Sequence, residues 1–262
     1  MRNKIVHGVR DAITKGNDVL LDFIAGFMVS SHPEWNPRFW SNQELKRIAG
    51  KLNGSVVNVS AAEDSDKNGG KYQDYFSSAK SYCITNYGYG EEGTCFSSNE
   101  KILDLTEEYD GRYGQFDIVL NHTVIEHLPS VNTAIDNLCA LSGDIVITIV
   151  PFIQGFHGRL GGYTDYWRYS PLALISEFDK RGFSTVYLNW NNHHPLMNVY
   201  IIHIASRHPE RHSNIFNRVK LPIVNASGPG VGFSRFLWGW GRLEGKSRAR
   251  KIGEMFGCRL IP

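Results

Sequence analysis

Cysteine is scarce: Cys83, Cys95, Cys139 and Cys258 are spread over 262 residues with no Cys-x-x-Cys pair. That spacing excludes a zinc ribbon or a disulfide framework and suits a reducing compartment, so a cytoplasmic location is expected. Long apolar runs are also missing. None approaches the ~20 residues that cross a bilayer. The longest N-terminal candidate, residues 19–30, contains Asp22 and lacks a signal-peptide layout. Net charge is nearly absent too, at +2, but it is unevenly placed. From Arg207 onward there are 11 Lys/Arg against 3 Glu, a surplus of +8; residues 1–206 hold 17 basic and 23 acidic side chains, or −6. Such asymmetry fits either a solvated tail or peripheral contact with an anionic surface.

What is present is an alternation of short apolar runs and helical patterns. Residues 42–52 place Leu45, Ile48, Ala49 and Leu52 at helical spacing, with Ser41 as candidate N-cap. The turn Asn53-Gly54 leads into a β-branched strand at 55–60. A helix is predicted over 71–79, strands over 82–86 and 102–105, and a loop over 87–100. Strands then follow at 116–120 and 144–150, separated by a helix over 131–141. Ser170 and Pro171 open a helix that Gly182 ends. Two last strands, 184–190 and 198–205, have no helix between them. Repeated β-α-β units imply a mostly parallel sheet with helices on both faces, and the final pair implies an antiparallel hairpin at one edge. The expected organisation is an N-terminal helical segment (1–52), an α/β Rossmann-like three-layer domain with a seven-stranded sheet (53–208), and a basic, aromatic C-terminal extension (209–262).

Three stretches carry a resemblance: FDIVLNHTVIEHL from Phe116, GDIVITIVPF from Gly143, and DYWRYSPLALISEFDKRGF from Asp165. Over roughly residues 54–206 the chain resembles the class I S-adenosylmethionine-dependent methyltransferases, and its post-strand segment is similar to the type 11 group. The resemblance implies S-adenosyl-L-methionine as cofactor, bound beyond the carboxyl ends of the strands. It puts Asn58, Ser60, Ala61 and Ala62 around the methionine part, Asn86 at the ribose, and Asp104 with Leu105 at the adenine. Asn121 and His122 would lie under the methionine moiety. The family's glycine-rich turn is replaced by Ser60-Ala61-Ala62, small residues for which any left-handed backbone position is costlier. Glu63, Asp64 and Asp66 follow and could attract the cofactor's positive charge. Asn86 stands where the family has a carboxylate.

Methyl transfer to a hydroxyl needs alignment and a proton acceptor. His127 and His157 are the base candidates, since imidazole titrates near neutrality. Glu126, Tyr163, Asp165, Trp167 and Arg168 are expected to bind the acceptor: aromatic rings stack on a sugar face while charged groups take its hydroxyls. The last motif is similar to methyltransferases of bacterial glycan and O-antigen clusters, implying a small-molecule or lipid-linked saccharide acceptor. Glu126 beside His127, without further spaced ligands, is not read as a metal site. Two other readings stay open. The altered cofactor loop suits a methyltransferase-like scaffold that no longer turns over, and the basic tail suits a nucleic-acid methyltransferase, although no Asn-Pro-Pro-Tyr-type motif follows the fourth strand.

Overall fold

A computed structural model describes residues 36–87, 100–155, 158, 164–191 and 199–216. Helix α1 (Pro37–Ala49) opens the described chain. Asn36 caps it by accepting from the backbone N–H groups of Arg38 and Phe39, and Pro37 occupies the first turn. This overrides the expected cap at Ser41, which lies inside the helix. An Asn-Pro start satisfies free N–H groups and presets φ, so it begins the helix one turn earlier.

Seven strands form one sheet in the order β3-β2-β1-β4-β5-β7-β6. They are β1 (Gly54–Val59), β2 (Ala79–Asn86), β3 (Glu100–Ile102), β4 (Phe116–His122), β5 (Ser142–Ile153), β6 (Ser184–Trp190) and β7 (Val199–Ser206). β1 pairs in parallel with β2 and β4, and β4 with β5, whereas β7 runs antiparallel to both its neighbours. The Rossmann-like α/β class read from the sequence is therefore observed. The final hairpin is inserted: β7 enters between β5 and β6, leaving β6 at the edge. Gly54 starts β1 with φ +140°, and a Cβ there would sit 2.6 Å from Asp117, whose carboxylate accepts from the Ser55 N–H.

Helices α2 (Val131–Leu141) and α3 (Pro171–Asp179) cover one face, packing around Ile135, Leu138, Leu174 and Phe178. Ser170 caps α3 and Gly182 (φ +78°) follows its end, as the sequence signals. The opposite face carries α1 and a 3₁₀ turn at Tyr72–Tyr75, with Leu45, Ile48, Tyr72 and Tyr75 against Ile118, Leu120 and Ile147. That turn replaces the helix predicted over 71–79. Tyr72 and Tyr75 eclipse each other on a 3₁₀ spiral, so both rings reach the core before β2 begins at Ala79. α1 belongs to the core, and Phe216, beyond the expected break at 208, is buried beside Tyr187. The remainder of the basic extension lies outside the described residues.

A polar row crosses the sheet's middle beneath α2 and α3. Thr148 on β5 lies in register between Asn121 on β4 and His203 on β7, and all three are fully buried. Burial pushes His203 down to about 3 and His122 well below its ordinary value, so both are neutral in the fold. A histidine that resists protonation in the native state favours the unfolded chain once that chain can take the proton. Stability is therefore expected to fall as pH drops below ~6.5, by roughly 1.4 kcal/mol per pH unit for each such histidine. Urea melts from pH 7 to 4 measure the slope, and His203→Phe should make it shallower.

Candidate functional site

The loop after β1 keeps a glycine-like backbone without glycine. Ser60 (φ 55°), Ala62 (φ 51°) and Asp64 (φ 60°) all adopt left-handed conformations, which cost an L-residue about 1–2 kcal/mol each. Two side chains enforce them. Asn86, at the end of β2, accepts from the Ala62 N–H (2.6 Å) and donates to the Ala62 carbonyl (3.0 Å) and to Glu100 (2.7 Å). The buried Asp64 carboxylate accepts from Asn58 Nδ2, the Tyr82 hydroxyl and the Gln73 N–H. Asp66 is committed likewise, to Asn68, Gly70 and Tyr75. The acidic run is thus mostly an internal brace, with Glu63 alone exposed among its carboxylates. A cleft of about 920 Å³ lies alongside, lined by Ala62, Glu63, Gly70, Gln73, Tyr82 and Ile84.

Several cofactor expectations look different in this geometry. Asn58 is buried against Asp64, and the amide of Asn86 is occupied by the loop it was expected to flank. Leu105 is buried in the core under α2, where Asn137 Nδ2 holds its carbonyl, so it is not an open platform for a ring. Asp104 is partly exposed; its Oδ1 accepts from the backbone and hydroxyl of Thr106. Asn121 and His122 leave β4 on opposite faces. Asn121 is fully buried at the β1–β4 junction, and neither side-chain polar atom has a hydrogen-bond partner. His122 points toward α1.

There His122 meets a residue that the sequence reading missed. Arg38 Nη1 donates to His122 Nδ1 (2.9 Å) and to the Tyr72 hydroxyl (3.3 Å), and Nη2 donates to Thr123 Oγ1 (3.0 Å). Because a guanidinium can only donate, His122 Nδ1 is the acceptor and Nε2 carries the proton. Nε2 then donates to Ser41, whose hydroxyl donates to the Arg38 carbonyl. The circuit closes on itself. It also holds Thr123 at φ 54°, a conformation rare for a β-branched residue. Burial opposes the Arg38 charge, but Tyr72, Tyr200 and Glu126 outweigh it, and the group stays cationic. No local motif marks Arg38; only the Asn36-Pro37 helix start hints at where it stands.

Next to this circuit the short turn Ile125–His127 presents Glu126 and His127. Glu126 is 1% exposed, and neither carboxylate oxygen has a hydrogen-bond partner. Burial pushes it up to about 8, against the pull of its own backbone N–H and of Arg38 and Arg168. His127 Nδ1 lies 3.0 Å from the Thr164 carbonyl, which can only accept, so Nδ1 carries the proton and Nε2 is the basic atom. Nε2 sits 3.8 Å from Glu126 Oε1. The acceptor-side loop docks on this turn: Tyr166 and Trp167 donate backbone N–H groups to the Glu126 carbonyl, and the Trp167 indole donates to Leu128. Asp165 and Arg168, expected to take sugar hydroxyls, grip each other in a two-bond fork at 2.5 Å. Trp167 remains 40% exposed and Tyr166 51%, available for stacking. His157 and Tyr163 lie outside the described residues. Among the described residues no group of three or more His, Cys, Asp or Glu could hold a metal ion, and no helix is long and apolar enough to cross a membrane.

Two outcomes follow from this geometry. Ala62→Gly should leave stability unchanged or raise it by up to about 1 kcal/mol, whereas Ala62→Val should lower it by about 1–2 kcal/mol in urea melts. The folded state holds the Glu126 proton up to about pH 8, while the unfolded chain releases it near its ordinary value. Stability is therefore lost as pH rises across that window. Glu126→Gln should abolish the loss, gaining about 5 kcal/mol at pH 9 and little below pH 4.5.

No family model matches the chain, and no curated protein matches it in sequence. Among solved structures it is similar to 1,6-didemethyltoxoflavin-N1-methyltransferase of Burkholderia thailandensis bound to 1,6-didemethyltoxoflavin and S-adenosylhomocysteine. That match has 16% identity and a TM-score of 0.46 over 73% of this chain and 88% of the other. It is similar to the N-methyltransferase NodS of Bradyrhizobium japonicum WM9 in complex with S-adenosylhomocysteine (12%, TM-score 0.44, 65% of this chain and 88% of the other). A third is magnesium protoporphyrin IX methyltransferase of Synechocystis PCC 6803 with bound S-adenosylmethionine (13%, TM-score 0.41, 64% and 79%). At identities and scores this low, what the site does is read from its own residues.

Proposed function

We propose that this chain is an S-adenosylmethionine-dependent O-methyltransferase whose acceptor is a saccharide, either free or lipid-linked. The observation that carries the reading is the pair of buried, unpartnered side chains Asn121 and Glu126 at the carboxyl end of β4. They stand beside a loop kept in left-handed conformations at the β1–β4 junction, where open α/β sheets bind ligands. A buried amide without partners is costly, by about 1–3 kcal/mol, unless something hydrogen-bonds to it.

The residues fit the cofactor that the resemblance implies. The backbone of 60–62 can approach a ligand closely, Asn121 offers both a donor and an acceptor, and the Asp104 carboxylate is accessible at the end of β3. When bound, S-adenosylmethionine supplies an electrophilic methyl group on a sulfonium. The chain's own task is then to hold an acceptor hydroxyl and remove its proton. His127 is poised for that, its tautomer fixed by the Thr164 carbonyl so that Nε2 takes the proton as the oxygen gains the methyl. Glu126 beside it, carrying its proton, offers the hydroxyl a hydrogen bond. Trp167 and Tyr166 supply ring surface for a pyranose. His157 keeps its place as the other base candidate on sequence alone.

A scaffold without turnover is favoured by one observation: Asn86, expected at the ribose, is committed to Ala62 and Glu100. Calorimetric titration with S-adenosylhomocysteine decides between the two. Binding is expected in the native chain, weakened about tenfold in Asp104→Ala by loss of a charged hydrogen-bond acceptor. Neither heat nor thermal stabilisation at millimolar ligand would remove the enzyme reading; binding unchanged in Asp104→Ala would remove the adenine assignment.

A further inference from the structure

The Arg38 circuit has an unusual charge balance. Its guanidinium is half-buried, yet the groups that hold it, His122, Tyr72, Thr123 and Tyr200, are all neutral. No carboxylate oxygen lies within 4.0 Å of it among the described residues, although Glu126 is near enough to act electrostatically. Even partial burial makes a cation without a counter-ion costly to keep. Here it is kept rigidly, between Tyr72 from the β1–β2 crossover and the ring of Tyr200 on β7, whose centroid is 5.8 Å away. Nη1 serves His122 and Tyr72 and Nη2 serves Thr123, with the Tyr200 hydroxyl also drawn to the group. Two observations therefore converge at the ends of β4 and β7: a guanidinium held only by neutral groups, and a 1% exposed carboxyl whose oxygens have no hydrogen-bond partner.

We infer that Arg38 and Glu126 form one acceptor subsite, in which Arg38 receives an anionic group, a carboxylate or a phosphate, and Glu126 receives a neighbouring hydroxyl. The acceptor is accordingly an acidic saccharide, such as a uronate or a sugar phosphate. This rests on the transferase reading above and narrows its substrate class. Arg38 suits the role because its planar fork is already oriented by His122 and Thr123, so little freedom is lost when the anion arrives. A neutral sugar would leave the guanidinium uncompensated. An ammonium sugar would be repelled by it. Glu126 in its protonated form adds no competing negative charge beside the anion and can donate to or accept from a hydroxyl.

The test uses the full chain saturated with S-adenosylhomocysteine, titrated with glucuronate, glucose 6-phosphate and glucose while binding is followed by calorimetry and thermal shift. At least one of the two anions should bind about tenfold or more tightly than glucose, and comparing the two separates carboxylate from phosphate. In Arg38→Gln that preference should vanish while affinity for S-adenosylhomocysteine stays within about twofold. Equal binding of all three sugars by the native chain would overturn the inference, as would absence of binding by any. Loss of S-adenosylhomocysteine affinity in Arg38→Gln would also overturn it, by assigning the guanidinium to the cofactor's own carboxylate. Should Arg38→Gln not fold, the preference within the native chain decides, with Glu126→Gln as second variant, expected to weaken glucuronate and glucose alike. Absence of S-adenosylhomocysteine binding in the native chain would instead strike the transferase reading, while sugar discrimination measured without it still decides the anion subsite.

Discussion

The arrangement of the strand ends depends on one buried carboxylate. Asp64 lies under the crossover from β1 to β2 and accepts from Asn58 on β1, Tyr82 on β2 and the backbone of Gln73 at the 3₁₀ turn. Three donors, two of them neutral side chains, replace the water that the carboxylate gave up. With no α-helix between β1 and β2 to stiffen the crossover, this hub and the Asn86 clamp on Ala62 supply the rigidity. They also hold Ser60, Ala62 and Asp64 in conformations that glycine would adopt freely. The sequence departs from the glycine-rich pattern, and the backbone compensates through side-chain bonds formed elsewhere in the fold.

Glu126 is the counterpart of Asp64 with the opposite treatment. Both carboxyls are nearly fully buried, yet Asp64 is saturated with donors and Glu126 has none. In a single protein that contrast separates a saturated structural carboxyl from the one proposed to meet a ligand. Saturation fixes the first as a brace; isolation leaves the second prone to keep its proton near neutral pH and ready to exchange it. His127 Nε2 lies 3.8 Å from it, and Arg38 and Arg168 act on the same buried carboxyl. The loop carrying Trp167 is fastened to the same turn through the Glu126 carbonyl. Tyr166 and Trp167 are therefore fastened to the turn that carries Glu126 and His127.

The legible parts of the chain were those whose signals are local. The helices at 131–141 and from Pro171, the cap at Ser170 and strand β6 follow from periodicity and capping chemistry, and so does the closing hairpin. The Glu126-His127 pair was visible as a motif. Arg38 was not, because nothing in the residues around it signals a guanidinium that reaches His122, 84 positions away. The helix predicted over 71–79 failed for a related reason. Its aromatic residues are helix-compatible locally, but Tyr72 and Tyr75 are drawn to partners on α1 and in the crossover, and a tighter turn serves both.

By itself, the sequence determined the α/β alternation, the seven strands apart from the placement of the third (expected over 102–105, observed at Glu100–Ile102), the hairpin that brings in an antiparallel strand, and the pairing of Glu126 with His127. Each of these is written in the spacing of apolar, capping and turn residues over a dozen positions or fewer. Only the tertiary structure decided that Asn86 and Asp64 serve the loop, that Asn121 and Glu126 are buried without partners, and that Arg38 stands beside them. Burial and hydrogen-bond satisfaction are properties of what surrounds a side chain. For these residues the surroundings come from strands and helices far apart in the chain.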